Sequence, residues 1–218
     1  MAVEDEVKLQ VDLDFELRHL DIAEAIHQVE TVAQVRTVTL YFDSPQFELA
    51  QAKVALRFRY RVEAAASVAQ GDLLKPAKTQ VGVWALKTKG SRIEKDGVVA
   101  TSRQEYEITA SYGEVPADFV VKLNLGDEAI GRLGVIAAMD ARRDTQIVSA
   151  NGYRAIEIDD DRVTVLKGAT PGETFREIEL ELLDDNYSEL RSRLVHQFLQ
   201  AGAMFSVADS KLQRVLGL

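Results

Sequence analysis

The sequence predicts an α+β protein: a closed antiparallel β-barrel with a charged lumen and helices packed outside. Three observations predict it. Charged and apolar residues alternate along several segments, as at EDEVK (4–8), where Glu4, Glu6 and Lys8 share one strand face and Asp5, Val7 and Leu9 the other. The charges are sorted, with some segments basic at these positions and others acidic, whereas a solvated sheet face usually mixes both signs. The chain also supplies amphipathic helices, which can cover the apolar faces while the charged faces meet inside.

The elements follow in order. Residues 3–13 alternate as a strand. Asp21 and Glu24 form a capping-box pair, and Ile22, Ile26, Val29 and Ala33 have helical spacing, so a helix is expected there. TVTLYF (37–42) is a β-rich run ended by the turn-forming DSP at 43–45. KVALRFRYR (53–61) and VGVWALKTKG (81–90) read as paired strands, and residues 62–80 between them as a long, aperiodic hairpin loop. SRQEYEITA (102–110) is another strand. Residues 115–140 read as helices broken by glycines, with Phe119, Val120, Leu123, Ile130, Leu133 and Ile136 as their apolar positions. A hairpin follows, turning at Asn151-Gly152. VTVLKG adds a short strand, and FREIELELL (175–183) is the most regular strand of all. Leu190, Leu194, Phe198 and Ala201 mark a helix, and residues 209–216 a short terminal one. No repeat or linker divides the chain, so one domain over 1–218 is expected.

Composition narrows the chemistry. The chain has 218 residues, 46% of them hydrophobic, enough for a sizeable core. It has no cysteine, and its three histidines, His19, His27 and His196, lack metal-ligand spacing. Any metal is therefore a hard cation held by oxygen. A net charge of −9 argues against general nucleic-acid binding but permits a small anion in a basic pocket. Without a leader or an apolar run of the ~20 residues that span a bilayer, the chain is expected to be cytoplasmic, with no membrane partner.

The alternation recurs at Arg57 and Arg59, at Lys87 and Lys89, at Arg103, Glu105 and Glu107, at Glu157, Asp159 and Asp161, and at Glu177, Glu179 and Glu181. Enclosed carboxylates repel unless a cation lies between them, and enclosed arginines repel unless an anion does. A lumen holding both asks for a divalent cation together with a polyanion such as a polyphosphate, whose oxygens suit arginine forks and lysine point charges. Tyr41 is the inward aromatic, and Trp84 is expected in the outer core.

The ordered set of segments resembles the CYTH domain, or triphosphate tunnel metalloenzyme, family. E-x-E-x-K at Glu4, Glu6 and Lys8 resembles its opening signature. YFDSP, VALRFR, WALKTKG, RQEYE, IEIDDD, EIELELL and the closing S-K-x-x-R at Ser210, Lys211 and Arg214 resemble its later segments, in order. Asp5, Asp159 and Asp160 stand where the family has apolar residues, Ala55 where glycine is common, and Val163 where a glycine often follows the aspartate. The resemblance implies an eight-stranded tunnel and a metal-dependent hydrolase of a small triphosphate, most simply tripolyphosphate, with Mg²⁺ or Mn²⁺ as cofactor. It implies metal ligands at Glu4, Glu6, Glu177, Glu179 and Glu181, with Glu157 and Asp161 available to a second ion. Lys8, Arg57, Arg59, Lys87, Arg103, Arg143, Lys211 and Arg214 would bind phosphate, and Glu6, Lys8, Lys87 and Arg143 would stand closest to the chemistry. Glu105 and Glu107 would orient the basic residues. Other readings are a class IV-type adenylyl cyclase, a thiamine or nucleoside triphosphatase, and a non-catalytic polyphosphate-binding module. A homodimer is compatible with all of them.

Overall fold

Alternation at the start of the chain becomes strand β1 (Ala2–Val11), which buries Val7, Leu9 and Val11 on the face opposite Glu4, Glu6 and Lys8. The computed structural model describes residues 2–17, 27–63, 69–95, 97–208 and 210–217. Among them the further strands are β2 (His27–Asp43), β3 (Ala55–Val62), β4 (Val81–Lys87), β5 (Ser91–Lys95), β6 (Val98–Ser111), β7 (Gly134–Ala150), β8 (Tyr153–Lys167), β9 (Thr174–Leu182) and β10 (Met204–Phe205). Eight of them run β1-β9-β8-β7-β2-β3-β4-β6, and pairing of β6 with β1 closes the ring into an antiparallel barrel. The short strands β5 and β10 are added on β6 and β1. The helices are α1 (Glu48–Gln51), α2 (Gln70–Leu73), α3 (Ala117–Lys122), α4 (Asp127–Gly131), α5 (Ser188–Gln200) and α6 (Lys211–Leu216). Among the described residues no helix is long and apolar enough to cross a membrane.

Three apolar clusters hold the barrel, two outside it and one within. On one outer face Leu190, Leu194, Val195 and Phe198 of α5 pack on outward residues of β1, β8 and β9, such as Leu9, Ile158 and Leu180. On another, Phe119 of α3 and Leu73 of α2 cover Leu40, Leu56, Phe58 and Trp84, and the Trp84 indole N–H donates to the Ser111 carbonyl at 3.0 Å. The third cluster is set by α6, whose Leu212 and Val215 meet Met139, Ala141, Val163, Val165 and Phe175. Phe175 shares its strand face with Glu177, Glu179 and Glu181, so α6 plugs part of the interior and leaves the charged part open.

One turn and one strand position show backbone necessity. Asn151 (φ 53°) and Gly152 (φ 81°) both take the left-handed conformation that a two-residue hairpin of matching twist requires. At Gly82 a Cβ would lie 2.5 Å from the Arg59 carbonyl oxygen and 2.6 Å from the Phe58 ring. Gly82→Ala is therefore expected to lower stability by ~1–3 kcal/mol, the usual cost of overpacking. Denaturant melts of the variant check this.

The structure corrects three readings. Val29 and Ala33 belong to β2, not to a helix, while His19, Asp21, Ile22, Glu24 and Ile26 lie outside the described residues. β-Branched Val29, Thr31, Val32 and Val35 lose rotamer freedom in a helix, and β7 offers a partner along all of β2. Helix also gives way to strand from Gly134 onward, including Ile136. There Ala138 is buried in an outer cluster and Ala137 and Met139 against α6, so both faces are apolar and the two-residue period is hidden. VTVLKG is no separate strand either, since β8 continues to Lys167. In the 62–80 connection, the described part packs on the outer wall, where the Tyr60 hydroxyl donates to the Leu73 carbonyl at 2.7 Å.

Candidate active site

The two-residue period of each strand sends its charged residues inward, and the pairing register stacks them into rows. Glu6 lies opposite Glu181, and Glu181 opposite Glu157. One row deeper, Lys8 faces Glu179, and Glu179 faces Asp159. The next row holds Gln10, Glu177, Asp161 and Arg143. On the other wall Arg57 and Arg59 of β3 stand beside Tyr41 and Thr39, Lys87 beside Glu105, and Arg103 beside Glu4. Together these walls enclose a cavity of about 510 Å³ in which Tyr41 is the aromatic lining residue.

Every sequence-predicted site residue lines this cavity except Asp161, Glu177 and Arg214. Asp161 and Glu177 lie behind Lys211, whose ammonium is 2.9 Å from Asp161, 3.0 Å from Glu177 and 2.7 Å from Glu179. The ammonium already occupies the space a cation would take among them. Arg214 belongs to the plug: its guanidinium stacks 3.9 Å from the Phe175 ring centre and donates to Gln10 at 3.0 Å. Asp159, by contrast, lines the cavity, accepting from the Thr145 hydroxyl at 2.6 Å and pairing with Arg143. Its position two residues from Glu157 and from Asp161 is the sequence signal for this, against the apolar position suggested by the family pattern. Asp160 points the other way and pairs with buried Arg176 at 2.7 Å.

Most of the charges compensate one another. Lys87 is 2.8 Å from Glu4 and 3.2 Å from Glu105. Arg57 donates to Glu105 at 2.8 Å, and Arg103 pairs with both Glu4 and Glu6. Lys8 is held by Glu6 at 2.8 Å and by Glu179. Against burial, which alone would raise it, Lys87, Arg103 and Lys8 hold the Glu4 carboxyl down at about 2.

Two groups are left uncompensated. Arg59 makes no ion pair among the described residues; it donates to the Thr39 hydroxyl at 3.2 Å. Burial, then repulsion from Arg57 and Arg143, lowers its pKa to about 10. Glu181 likewise has no cationic partner within ion-pair distance, and burial together with repulsion from Glu4, Glu157 and Glu6 pushes it up to about 7. One wall thus lacks an anion and the other a cation. Lys87, although paired with Glu4 and Glu105, is lowered to about 8 by burial and by Arg57 and Arg103.

Among the described residues no three acidic or histidine side chains are already gathered as a metal site. Glu4, Glu6 and Glu179 are each drawn onto a lysine or arginine instead. The donor set nevertheless fits a hard cation: it is wholly oxygen, and Glu6, Glu181 and Glu157 are register neighbours whose mutual repulsion a divalent ion relieves.

The model of the CYTH domain matches residues 2–214. No curated protein matches the chain. Among solved structures, a Hippeastrum protein carrying an adenylyl cyclase name and a dominant triphosphatase activity superposes with a TM-score of 0.62 at 17% identity, over 95% of this chain and 92% of that one. A Bacillus halodurans protein carrying an adenylate cyclase name gives 0.59 at 18% identity, over 98% of each chain. The triphosphatase of the Mimivirus capping enzyme gives 0.50 at 14%, over 91% of this chain and 89% of that one. What these structures share with this chain is the fold.

Proposed function

The chain belongs to the CYTH domain family, and we propose that it is a metal-dependent triphosphatase whose preferred substrate is inorganic tripolyphosphate, hydrolysed in the tunnel to pyrophosphate and orthophosphate. The observation that carries this reading is the split charge of the cavity, which is lined on one wall by an arginine without an ion-paired anion and on another by a carboxylate without an ion-paired cation. A triphosphate with its metal supplies both. The triphosphatase activities of the Hippeastrum and Mimivirus proteins agree with it.

Arg59, Arg57 and Lys87 would bind phosphate oxygens from one wall, with Lys8, Arg103 and Arg143 exchanging part of their carboxylate contacts for phosphate. Glu6, Glu157 and Glu181, with Glu4, would hold Mg²⁺ or Mn²⁺. When bound, that ion supplies charge neutralisation at the phosphate oxygens. Phosphoryl transfer through a loose transition state needs fixed positions and fixed charge more than covalent chemistry, and a closed barrel provides both. Asp159 is on the cavity wall, and burial, opposed by Arg143, raises it to about 6. On this reading it would take the proton of an attacking water, exchanging its contact with Arg143 or Thr145 to do so.

A wall of charges with Tyr41 as its aromatic offers little for a nucleobase or thiamine to stack on. Tripolyphosphate therefore leads ATP and thiamine triphosphate. Cyclisation of ATP is the second reading, favoured by the cyclase names among the structural neighbours. Phosphorus NMR of the products from each substrate tests the choice. Orthophosphate and pyrophosphate from tripolyphosphate, with slower ADP formation from ATP, are expected; cyclic AMP as the main product from ATP would overturn the assignment.

Metal binding has its own test. Mn²⁺ is expected to raise the melting temperature of the wild type. Glu181→Gln, which removes the unpaired carboxylate, should lose most of that shift while melting normally without metal.

A further inference from the structure

We propose that Arg191, outside the barrel, is a positioning residue for the Glu4–Glu6 pair inside it, an inference that rests on the reading of that pair as part of the metal and phosphate site. Arg191 belongs to α5 and is 6% exposed. Its Nη1 donates to the main-chain carbonyl of Asp5 at 2.8 Å and to the Asp5 carboxylate at 2.8 Å. One guanidinium therefore grips both the backbone and the side chain of the residue between the two lumen glutamates.

The grip falls where the strand ladder ends. β1 pairs with β9 from Glu6 to Val11, and with β6 from Ala2 to Glu6. Asp5 is one residue past the last β9 register pair, at the end of that ladder. Arg191 braces the strand at that end with two side-chain hydrogen bonds, the carbonyl oxygen having a second lone pair to accept one of them. The Nε of Arg191 is itself buried without a partner, so the guanidinium is seated for Asp5 and not for its own full set of contacts.

The strut has a firm base. Its neighbours on α5, Leu190, Leu194, Val195 and Phe198, are buried in the outer cluster against β1, β8 and β9. An aliphatic residue at position 5 would pack on the same helix but could not recruit a guanidinium to the carbonyl. Holding that carbonyl fixes the pleat of β1 at the point where Glu4 and Glu6 enter the lumen and meet Arg103. Outer supports of this kind act on affinity through the groups they orient.

The experiment uses the full chain as wild type, Arg191→Met and the double variant Asp5→Leu/Arg191→Met. It reads amide hydrogen exchange along β1, melting temperature and Mn²⁺ affinity. Arg191→Met should speed exchange at residues 4–6 and weaken Mn²⁺ binding about 10-fold. The double variant should regain melting temperature through apolar contact with α5, yet keep the weak Mn²⁺ binding. Unchanged exchange at residues 4–6 would overturn the proposal, as would recovery of Mn²⁺ affinity along with stability. If the wild type binds no Mn²⁺ while exchange still quickens in Arg191→Met, the strut stands and the metal reading of the lumen fails.

Discussion

Replacing Arg59 with alanine is expected to lower kcat/KM for tripolyphosphate by about 100-fold or more while leaving the melting temperature unchanged or slightly raised. The combination is unusual for a residue on the wall of a barrel. Arg59 is repelled by Arg57 and Arg143, and its hydrogen bond is to the neutral Thr39 hydroxyl. An enclosed cation without a counter-ion costs folding free energy, so its removal relieves the fold and harms ligand binding alone. Arg103→Ala is the control. Arg103 pairs with Glu4 and Glu6, so its loss takes one of two cations from each buried carboxylate, leaving Lys87 and Lys8, and should lower the melting temperature as well as the rate. Steady-state kinetics beside thermal melts distinguish the two. An Arg59→Ala protein that loses as much stability as Arg103→Ala would make Arg59 a structural residue.

Lys211→Met should be the most destabilising change in the site, by ~3–5 kcal/mol, the usual cost of breaking a buried pair. Its side chain is 6% exposed, and its ammonium lies between Asp161, Glu177 and Glu179. In the wild type, Lys211 and Arg143 hold the Asp161 carboxyl below the ordinary range although burial opposes them, and Lys211, Lys8 and Arg143 do the same for Glu179. These depressed groups stabilise the fold above the ordinary carboxylate pKa, ~4, and that stability is lost as pH falls through the lower folded values. In Lys211→Met, Arg143 still pairs with Asp161 and Glu179, and Lys8 with Glu179, but without the ammonium burial and mutual repulsion raise the folded pKa values of these two carboxylates, so protonation recovers part of the loss. The deficit of the variant should therefore shrink as pH is lowered from 8 to 5. Urea melts across that range check it, and a deficit constant with pH would mean that Lys211 acts through packing and not charge.

What the sequence shows of this protein follows from which period each segment obeys. β1, β3, β6 and β9 have one apolar and one charged face, so their orientation and their lumen residues can be read from alternation alone. The Asn151-Gly152 turn is equally plain, because few residue pairs take two left-handed conformations together. Reading failed at the start of β2, where Val29 and Ala33 have helical spacing but long-range pairing with β7 decides the structure. It failed again at the start of β7, where Ala137 and Met139 face a helix inside the barrel and Ala138 faces a core outside it. No local pattern shows that α6 enters the barrel. That insertion is why Arg214 stacks on Phe175 and why Asp161 and Glu177 serve Lys211 instead of an open site. Asp5 became intelligible only through Arg191, 186 residues away in the chain.

The central claim is that the split charge of this tunnel serves metal-dependent hydrolysis of a triphosphate. The most direct test is orthophosphate release from tripolyphosphate by the wild type with Mg²⁺ or Mn²⁺, with the metal chelated, and by Glu6→Gln. The predicted result is rapid release that requires the metal and falls by about 100-fold or more in the variant. Absence of release with either metal, or release indifferent to chelation and to Glu6→Gln, would contradict it.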